Sequence, residues 1–489
     1  MKAEHAKAAE ALAIGKLGRS LIGGAWSDAS DHVPSANPST GELLAKVSLG
    51  RAADVAAAVA AARAAFEGPW RELGPAKRRE ALVRLADLTA AEEKSLAQIE
   101  ALDVGTPVGV GRKLTAKAPA RSLAYFASWI DKIYGDVVPL ASYRAFDFTL
   151  REPAGVVAAI IPWNTPLLFV GSKVGAALAC GNTVVVKPSE VAPLSVLRWA
   201  ELCEKAGLPP GAVNVVPGDG ETGRLLASHP GVDLVSFTGG SETGPKVAAA
   251  AGSRRVVLEL GGKSPALVFA DADLDKAVMA IALGVFGLSG QACAASSRLL
   301  VEASVHREVV ERVVELARSL PVGDPLDGGT MLGPLASERQ LRRVAAYVAS
   351  GNAEGARLVA GGERPGGELE SGWFFGPTIF EAVKPSMRIF REEIFGPVLA
   401  VTPFASEEEA LSLANDTAFG LAAGVFSRDL SRVHRLVRAL RAGTVWVNGY
   451  GQLPTQAPFG GVKGSGHGRE GGRETLETYT QVKNVLIEL

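Results

Sequence analysis

The sequence predicts an α/β protein of two or more domains, one of them built on a doubly wound parallel sheet. The chain has 489 residues, more than a single hydrophobic core usually organises. From Gly155 onward, short β-rich runs alternate with helical segments, and this spacing implies right-handed βαβ units. Hydrophobic residues make up 47% of the chain and charged residues 21%, which indicates a well-packed globular protein.

Two helices precede the alternating region. The alanine-rich run 52–67 predicts a helix from composition alone, and 77–102 continues the helical character with leucines near helical spacing. The strands predicted in the first alternating series are 156–161, 183–186, 213–216, 234–237 and 256–260. The helices predicted between them are 168–179, 192–206, 223–228 and 243–250.

A second α/β series follows, and two β segments stand apart from both. The second series comprises strands at 297–301, 398–404 and 444–447 and helices at 307–320, 338–349, 407–414 and 430–440. Residues 143–157 are predicted to form paired strands, and 479–489 a C-terminal strand with no helix after it. A strand isolated in the sequence must find its partner elsewhere, and another subunit is one source of such a partner.

Charge and cysteine content exclude several classes of protein. A net charge of −1 gives no indication that the protein binds nucleic acid or an anionic membrane. Three cysteines cannot form a disulfide framework, so we expect a reducing, cytoplasmic compartment. Residues 1–19 are typical of a ragged helix or a disordered lead and not of a signal peptide. Apolar runs are broken well before the roughly 20 residues that a membrane span requires. No metal site is predicted.

Cys293 is the strongest candidate for a reactive side chain. It follows the apolar stretch 278–288 and lies among small residues, in the run Gly-Gln-Ala-Cys-Ala-Ala-Ser-Ser-Arg. Such neighbours leave a thiol open to a reactant, whereas a buried cysteine usually acts only as a small hydrophobe, as we expect of Cys180 and Cys203. Glu259 strengthens the case, because an acid between two leucines at the end of an apolar strand is costly to bury without a task.

Polar residues follow the first two predicted strands of the first series. The first strand runs into Pro-Trp-Asn-Thr-Pro, and ligands bind at strand carboxyl ends in open α/β sheets. There Asn164 is either a turn former, the commoner case, or an amide donor to a developing oxyanion. The second strand leads to Lys187, Ser189 and Glu190, where an acid commonly binds ribose hydroxyls and repels a 2′-phosphate. A solvated lysine with a helix-capping Ser-Glu pair is an equally weighted alternative.

Glycine-rich segments form the rest of the pattern. The run 237–244, Phe-Thr-Gly-Gly-Ser-Glu-Thr-Gly, lies between a predicted strand and a helix, where backbone N–H groups can bind a phosphate. Its spacing is not G-x-G-x-x-G, so these glycines can equally form a plain turn. Segment 392–398 places an acid and an aromatic residue before a strand, 446–449 ends another strand, and 457–466 is a glycine-rich loop with one aromatic residue.

Taken together and in this order, these motifs resemble those of the aldehyde dehydrogenase superfamily, over about residues 21–485. The resemblance implies a Rossmann-type cofactor domain, an α/β catalytic domain and a small β oligomerisation extension. It also implies oxidation of an aldehyde to a carboxylic acid, with NAD as the cofactor and NADP less favoured, in a homodimer or homotetramer. The domain bounds that we expect are 1–130 with 154–261, then 262–465, and 131–153 with 466–489.

The same resemblance assigns roles to individual residues. Cys293 corresponds to the nucleophile, Glu259 to the general base, and Asn164 with the Cys293 backbone N–H to the oxyanion hole. Lys173 and Glu470 match positions linked to proton relay in relatives. The cofactor contacts that it implies are Ile161, Pro162, Trp163, Lys187, Ser189, Glu190, Gly220, Phe237, Thr238, Gly239, Gly240, Ser241, Leu260, Glu393 and Phe395.

Some of these cofactor positions carry finer expectations. Lys187 and Glu190 correspond to contacts with the adenosine ribose, Glu393 to a contact with the nicotinamide ribose, and Phe395 should pack near the nicotinamide. Gly240 stands where many relatives carry a serine that contacts the pyrophosphate. That contact must therefore come from backbone N–H groups or from the neighbouring serine.

The substrate pocket is expected to be apolar. Thr165 stands where an aromatic residue is common, which should widen the pocket beside the nucleophile. Phe169, Leu453 and Phe459 correspond to pocket positions, and the loop 450–455 contains no Arg or Lys to bind a carboxylate at the far end of a substrate. These features favour an apolar or aromatic aldehyde. Two alternatives stay open: a CoA-acylating relative, which commonly lacks the base at Glu259, and a catalytically silent structural homologue.

Overall fold

The computed structural model describes residues 2–141 and 144–489. Its α-helices span Lys2–Ala11, Ala52–Glu67, Pro69–Glu72, Gly74–Ala91, Glu93–Asp103, Val108–Leu114, Ala118–Ala127, Pro166–Phe169, Gly175–Ala179, Leu194–Lys205, Gly220–Ser228, Gly244–Ala251, Leu274–Phe286, His306–Ser319, Glu338–Ala353, Arg388–Arg391, Glu407–Asn415, Leu430–Ala439 and Glu474–Tyr479. Short 3₁₀ turns occupy Ile14–Lys16, Ile130–Lys132, Gly287–Gly290, Gly367–Leu369 and Lys463–Ser465.

The first sheet confirms the predicted parallel, doubly wound arrangement. Strand order reverses at Val156–Ile160: the next two strands of the chain lie on one side of it, and the two after those on the other. A crevice therefore opens at the carboxyl ends of Val156–Ile160 and Leu234–Thr238, the usual ligand position in such a sheet. In spatial order the strands are Gly466–His467, Arg255–Glu259, Leu234–Thr238, Val156–Ile160, Thr183–Lys187, Val213–Val215, Ser20–Ile22 and Ala25–Ser27.

A second sheet is parallel except for its first strand, which is antiparallel to its neighbour. Three of its inner strands were not predicted, because each is only four or five residues long and is stabilised by burial on both faces, as Ala422–Phe426 is. In spatial order this sheet comprises Arg357–Ala360, Thr378–Glu381, Val398–Phe404, Arg298–Glu302, Pro265–Val268, Ala422–Phe426 and Thr444–Val447.

Two antiparallel sheets complete the fold. Leu43–Leu49 pairs with Asp31–Ala36 near the N-terminus. In the other sheet, Ala145–Pro153 lies between Thr480–Glu488 and Val137–Val138. The prediction that 143–157 forms paired strands was wrong in its pairing: Val156–Ile160 belongs to the first sheet, because its five buried residues fit a strand covered on both faces. Residue 143 of that prediction lies outside the described residues.

Several predicted helices differ from the observed ones. The predicted helix 77–102 is interrupted at Glu92, giving Gly74–Ala91 and Glu93–Asp103. The predicted helix 168–179 begins at Pro166 and contains a π-helical turn, Val170–Val174, which holds Lys173. Such turns often occur at functional sites, since the extra residue redirects the side chains that follow.

Candidate active site

The loop that carries Cys293 begins with an unusual backbone. Leu288, Ser289 and Gly290 have φ values of 53°, 55° and 73°, a left-handed conformation that is unfavourable for the first two. Only glycine fits at position 290, because a Cβ there would lie 2.1 Å from the backbone of Gly396. The Ser289 hydroxyl donates to the Gly333 carbonyl at 2.8 Å, so the turn is fixed from outside the loop. This turn brings the chain out of helix Leu274–Phe286 and into the site.

Contacts with both sheets hold the Cys293 loop in place. Asn164 is buried, and its Nδ2 donates to the Gln291 carbonyl at 2.9 Å. The Gln291 Oε1 in turn accepts from the Ala336 N–H at 2.9 Å. Gly262 lies directly against the loop, because a Cβ there would be 2.4 Å from the Cys293 carbonyl oxygen. The structure therefore places Cys293 beside the segment that follows Glu259. Asn164 contacts the loop at Gln291, two residues before Cys293.

The thiol of Cys293 is half-buried, and its surroundings keep it protonated. Burial, together with the negative charges of Glu393 and Glu259, raises its pKa to about 12. Both carboxylates are therefore near the sulfur. Thiolate chemistry at this residue requires positive charge or hydrogen-bond donors that arrive with a ligand. Cys180 and Cys203 are fully enclosed in the first core, as expected of structural cysteines.

Glu259 ends the strand Arg255–Glu259 with its carboxylate in an enclosed position. Only 3% of the residue is exposed, and neither carboxylate oxygen has a hydrogen-bond partner among the described residues. Burial raises the pKa of Glu259 well above its ordinary value, and repulsion from Glu470 adds to the rise. The backbone N–H of Gly461 lowers the pKa of Glu259, although its geometry is not that of a hydrogen bond. Gly460 makes room for this side chain, because a Cβ there would lie 2.5 Å from the carboxylate.

A buried polar chain adjoins Glu259. Lys173 and Glu470 form an ion pair, and the Lys173 Nζ also donates to the Ser236 hydroxyl at 2.9 Å. The Ser172 hydroxyl donates to Glu470 at 2.8 Å, and Tyr479 donates to Ser236 at 3.1 Å. Sequence reasoning identified the lysine and the glutamate but missed the two serines and the tyrosine. Adjacency to Lys173 was a signal for Ser172, whereas Ser236 and Tyr479 are distant in sequence and join the group only in the folded chain.

Lys187, Ser189 and Glu190 lie together at the end of Thr183–Lys187. The buried Lys187 Nζ donates to the carbonyls of Pro188, at 2.8 Å, and of Gly218. Burial lowers the pKa of Lys187 to about 8, although the charge of Glu190 opposes the change. Ser189 donates to the Glu190 carboxylate at 3.0 Å, and Glu190 is half-exposed at the rim.

Gly220 borders the same rim from the other side. It is the first residue of helix Gly220–Ser228 and is exposed, and a Cβ there would meet no atom within 4 Å. Asp219 caps this helix by accepting from the N–H groups of Glu221 and Thr222. Gly220, which the sequence predicted as a cofactor contact, is therefore close to Lys187 and Glu190. A Cβ at this position would face open space.

The residues 237–244 form the turn from a strand into helix Gly244–Ala251. Gly244 packs against Leu260, because a Cβ there would lie 2.6 Å from the leucine side chain. Ser241 is tied to the neighbouring strand end, since its hydroxyl accepts from the Gly261 N–H at 3.1 Å. Gly239 and Gly240 lie at the surface of this turn, beyond the buried Phe237 and Thr238.

Thr238 has a buried hydroxyl that could bind a polar ligand at this turn. Its Oγ1 is buried and has no hydrogen-bond partner in the part of the chain that the structure describes. A buried hydroxyl without a partner is costly, so a polar ligand in the crevice would satisfy it. A Cβ at Gly240 would approach only Thr243, at 4.0 Å, so the backbone of the turn is open to a phosphate.

Glu393 and Phe395 close the crevice on the side of Cys293. The Gly262 N–H donates to the Glu393 carboxylate at 2.9 Å. Burial raises the pKa of Glu393 to about 7, against the opposing effects of that hydrogen bond and of nearby cations. Phe395 has a φ of 61°, and its ring meets Trp163 edge-to-face with a centroid distance of 5.3 Å. Pro162 beside Trp163 is half-exposed, whereas Ile161 is buried in the sheet.

The predicted pocket residues are only partly brought together. Phe169 is buried and lies near Lys173, and Phe459 forms a pair of backbone hydrogen bonds with Glu470, so each contacts one member of the Lys173–Glu470 ion pair. Thr165 is buried at the start of helix Pro166–Phe169. Leu453 instead lies in a surface loop with 46% of its side chain exposed, and no contact given by the structure joins it to Phe169.

Within residues 2–141 and 144–489, no cluster of three or more His, Cys, Asp or Glu residues has a geometry that suits a metal ion. In the same residues, no helix combines the length and the apolar composition needed to cross a membrane.

Comparison with known proteins places this geometry in context. The family model described as "Aldehyde dehydrogenase family" matches residues 26–485. The chain is 46% identical to cytosolic aldehyde dehydrogenase 1 of Mus musculus, covering 96% of this chain and 94% of that protein. It is 44% identical to the mitochondrial aldehyde dehydrogenase of Homo sapiens, covering 96% and 92% of the two chains.

Solved structures are similar over nearly the whole chain. An NAD⁺ complex of aldehyde dehydrogenase from Bacillus cereus has a TM-score of 0.95 and 42% identity, covering 98% of each chain. The indole-3-acetaldehyde dehydrogenase AldA of P. syringae, in complex with NAD⁺ and IAA, has a TM-score of 0.96 and 42% identity, covering 99% of each chain.

Proposed function

Because this chain belongs to the aldehyde dehydrogenase family, we propose that it oxidises an aldehyde to a carboxylic acid through a covalent thioester on Cys293. The observation that carries this proposal is the convergence of three groups. These are the half-buried thiol of Cys293, the enclosed Glu259 carboxylate, which has no hydrogen-bond partner in the described structure, and the amide of Asn164. They lie together at the carboxyl ends of the strands in the first sheet. A thiol, a base and an amide donor are the groups that acyl chemistry on a thioester needs.

NAD is the cofactor, and the crevice fits it. The unsatisfied Thr238 hydroxyl and the open backbone at Gly240, next to Gly239, suit its pyrophosphate. Lys187 and Glu190 are placed to bind the adenosine ribose, where a half-exposed carboxylate would repel a 2′-phosphate. The other residues proposed to contact it are Ile161, Pro162, Trp163, Ser189, Gly220, Phe237, Ser241, Leu260, Glu393 and Phe395. When bound, NAD supplies the acceptor for the hydride that leaves the aldehyde carbon.

The protein's own residues carry the remaining steps. The Cys293 thiolate, formed when the thiol proton passes to Glu259 or to solvent, adds to the carbonyl carbon. The carbonyl electron pair moves to oxygen, where the Asn164 amide and the Cys293 N–H stabilise it. The Asn164 amide nitrogen carries two hydrogens, so it can keep its bond to the Gln291 carbonyl and donate the second hydrogen to that oxygen. After hydride loss, Glu259 takes a proton from water as the water oxygen attacks the thioester, and the C–S bond then breaks, which releases the carboxylic acid and returns the Cys293 thiolate. Its raised pKa favours this role, because a base is most effective near the working pH.

Glu470 and Lys173 are proposed to carry the proton away from Glu259. The ion pair lies close enough to influence Glu259 electrostatically, and the two buried groups are linked by direct hydrogen bonds to Ser172 and Ser236.

A CoA-acylating function fits the site less well. In such an enzyme the thiol of CoA attacks the thioester and takes the acyl group, so no activated water is needed. An enclosed glutamate beside the thioester would then have no catalytic role. Retention of the cysteine, the base and the amide also disfavours a catalytically silent homologue.

We propose an apolar or aromatic aldehyde as the substrate. Phe169 and Phe459 border the site, the loop 450–455 has no cationic residue, and an enclosed substrate carboxylate would lose hydration without a partner. One structural neighbour is named for an aromatic aldehyde, indole-3-acetaldehyde.

A panel of aliphatic, aromatic and acidic aldehydes, assayed for NADH formation, tests both substrate and cofactor. We expect higher kcat/KM for aromatic and medium-chain aldehydes than for succinic semialdehyde, and higher kcat/KM with NAD than with NADP. A best rate with the acidic aldehyde would contradict the pocket assignment. Equal efficiency with NADP would contradict the role given to Glu190.

We also propose the domain division stated from the sequence: 1–130 with 154–261 for the cofactor, 262–465 for catalysis, and 131–153 with 466–489 for assembly as a dimer or tetramer. Within the last segment, Gly466–His467 also pairs with the edge of the first sheet and Tyr479 packs in its core. The three-stranded sheet supports the last of these. Phe146, Leu150 and Ile487 on one face are 45%, 42% and 47% exposed, and its edge strand Thr480–Glu488 has unpaired backbone groups. A cytoplasmic location stays a prediction, because cytosolic and mitochondrial relatives are similarly close.

Removing residues 480–489 should reduce the assembly to single chains. The deletion leaves Tyr479, which is buried in the first core, in place. Light scattering should then report a mass near 50.7 kDa, whereas the full chain should give a multiple of it. Ile487→Glu should act in the same direction without removing backbone, and Glu488→Gln should leave the mass unchanged. A truncated chain that keeps the full-length assembly would refute the proposal.

A further inference from the structure

Tyr450 lies against the backbone just beyond Cys293. Its hydroxyl donates to the Ala294 carbonyl at 2.9 Å, and only 8% of the residue is exposed. Burial raises the pKa of Tyr450 above its ordinary value, so the phenol keeps its proton and stays a donor. The peptide that follows the nucleophile therefore has a fixed hydrogen-bond donor from a different part of the chain.

Two glycines make room for the Tyr450 ring. A Cβ at Gly284, inside helix Leu274–Phe286, would lie 2.8 Å from Cδ1 of the ring. A Cβ at Gly424, inside strand Ala422–Phe426, would lie 2.7 Å from Cδ2 on the opposite edge. Glycine inside a helix or strand is unfavourable, and in a strand it often marks close approach of another group. Trp446 covers the ring at a centroid distance of 4.6 Å.

The loop beyond the nucleophile rests on the same helix. The Ser296 N–H donates to the Gly284 carbonyl at 3.2 Å, and the Ser296 hydroxyl donates to the Ile281 carbonyl at 3.1 Å. The Ala295 N–H donates back to the Ala292 carbonyl at 3.0 Å, which closes a tight turn around Cys293. In this turn, Ala294 is the residue whose carbonyl depends on a donor from outside the loop.

We propose that Tyr450 is a positioning residue for Cys293, which holds the nucleophile and its backbone N–H in place through the Ala294 carbonyl, with its ring locked between Gly284 and Gly424. This inference rests on the proposed function and deepens it. Because Tyr450 acts on the loop that carries the attacking sulfur, whereas Glu259 on the other sheet activates the water, the tyrosine affects formation of the thioester more than its hydrolysis.

Tyr450→Phe tests the proposal because it keeps the ring and removes only the hydroxyl. Stopped-flow measurement of first-turnover NADH formation should give a rate constant about tenfold below the wild-type value, since one buried hydrogen bond is lost. Decay of the acyl adduct on Cys293, followed by quenched-flow intact mass, should slow by less than the first turnover does. The KM for NAD should be unchanged, and the melting temperature should fall only slightly, as expected for the loss of one buried hydrogen bond in a chain of this size. Tyr125→Phe, which lacks a hydrogen-bonded hydroxyl in the described structure, is the matched control.

Two further measurements separate positioning from other roles. The pH midpoint for alkylation of Cys293 by iodoacetamide should be the same in wild type and Tyr450→Phe, because the phenol contacts a peptide and not the sulfur. Gly424→Ala, where a Cβ would meet the Tyr450 ring before any other group, should also slow the first turnover, whereas Gly287→Ala, where a Cβ meets no atom within 4 Å, should not.

Three outcomes would overturn the inference: a first-turnover rate within about twofold of wild type, a shifted alkylation midpoint, or a parallel loss of both rate constants and of melting temperature. A wild-type enzyme that forms no adduct at Cys293 would instead refute the proposed function itself.

Discussion

Cys293→Ala should reduce NADH formation by more than about 10³-fold, in the first turnover as well as in the steady state. Without the thiol no covalent adduct can form, and the carbonyl carbon cannot reach the tetrahedral state from which hydride leaves. Stopped-flow NADH formation and intact mass after quenching measure the two consequences separately. The variant should show neither an initial burst nor an added acyl group.

Cys203→Ala is the control for that experiment. It removes a thiol of the same size from the first core, where burial raises the thiol pKa and no substrate can reach the sulfur. It should keep wild-type turnover and the adduct. Full activity of Cys293→Ala, or an acyl group that maps to Cys180 or Cys203, would show that the nucleophile has been misassigned.

Glu259→Gln should slow steady turnover by about 10² to 10⁴-fold while still allowing some acyl-enzyme to form. The substitution keeps the volume of the side chain but removes the base that activates water. Acyl adduct should therefore accumulate on Cys293 and be visible by intact mass. If Glu259 also helps to deprotonate the thiol, the first turnover slows as well, but by less than hydrolysis does.

The pH dependence of thioester hydrolysis also tests the role of Glu259. The pKa of Glu259 is raised by burial and by Glu470, and the base acts only when ionised. Wild-type hydrolysis should therefore increase with pH through a midpoint well above the usual carboxyl range, and this increase should be absent in Glu259→Gln. Glu311→Gln, at an exposed helix position, is the control. Wild-type turnover with an unchanged pH profile in Glu259→Gln would exclude the residue as the base.

The sequence was a good guide where chemistry and local pattern coincide. The run Thr183–Lys187 is a strand because three successive valines suit a position buried on both faces, and Glu259 was recognisable because an acid among leucines has few structural explanations. The short strands Pro265–Val268 and Thr378–Glu381 were not recognised, since their stability comes from neighbours that are distant in sequence.

Other parts of the site depend on tertiary contacts that no local pattern specifies. The role of Tyr450 requires glycines on a helix and on a strand that meet only in the folded chain. The left-handed turn at Leu288 and Ser289 contradicts local preference, because the residues themselves disfavour that backbone conformation and contacts outside the turn support it. The exposed position of Leu453 likewise follows from the path of its loop.

The strand Gly466–His467 limits how this protein can exchange parts with its relatives. It returns from the second half of the chain to cover the outer edge of Arg255–Glu259, pairing Gly466 with Glu259. A chimaera joined at residue 262 would combine one parent's Glu259 strand with the other parent's edge strand. A fragment ending there would leave that edge bare and prone to pairing with other chains. The two halves are therefore not interchangeable modules, and recombination that preserves the site must transfer both segments together.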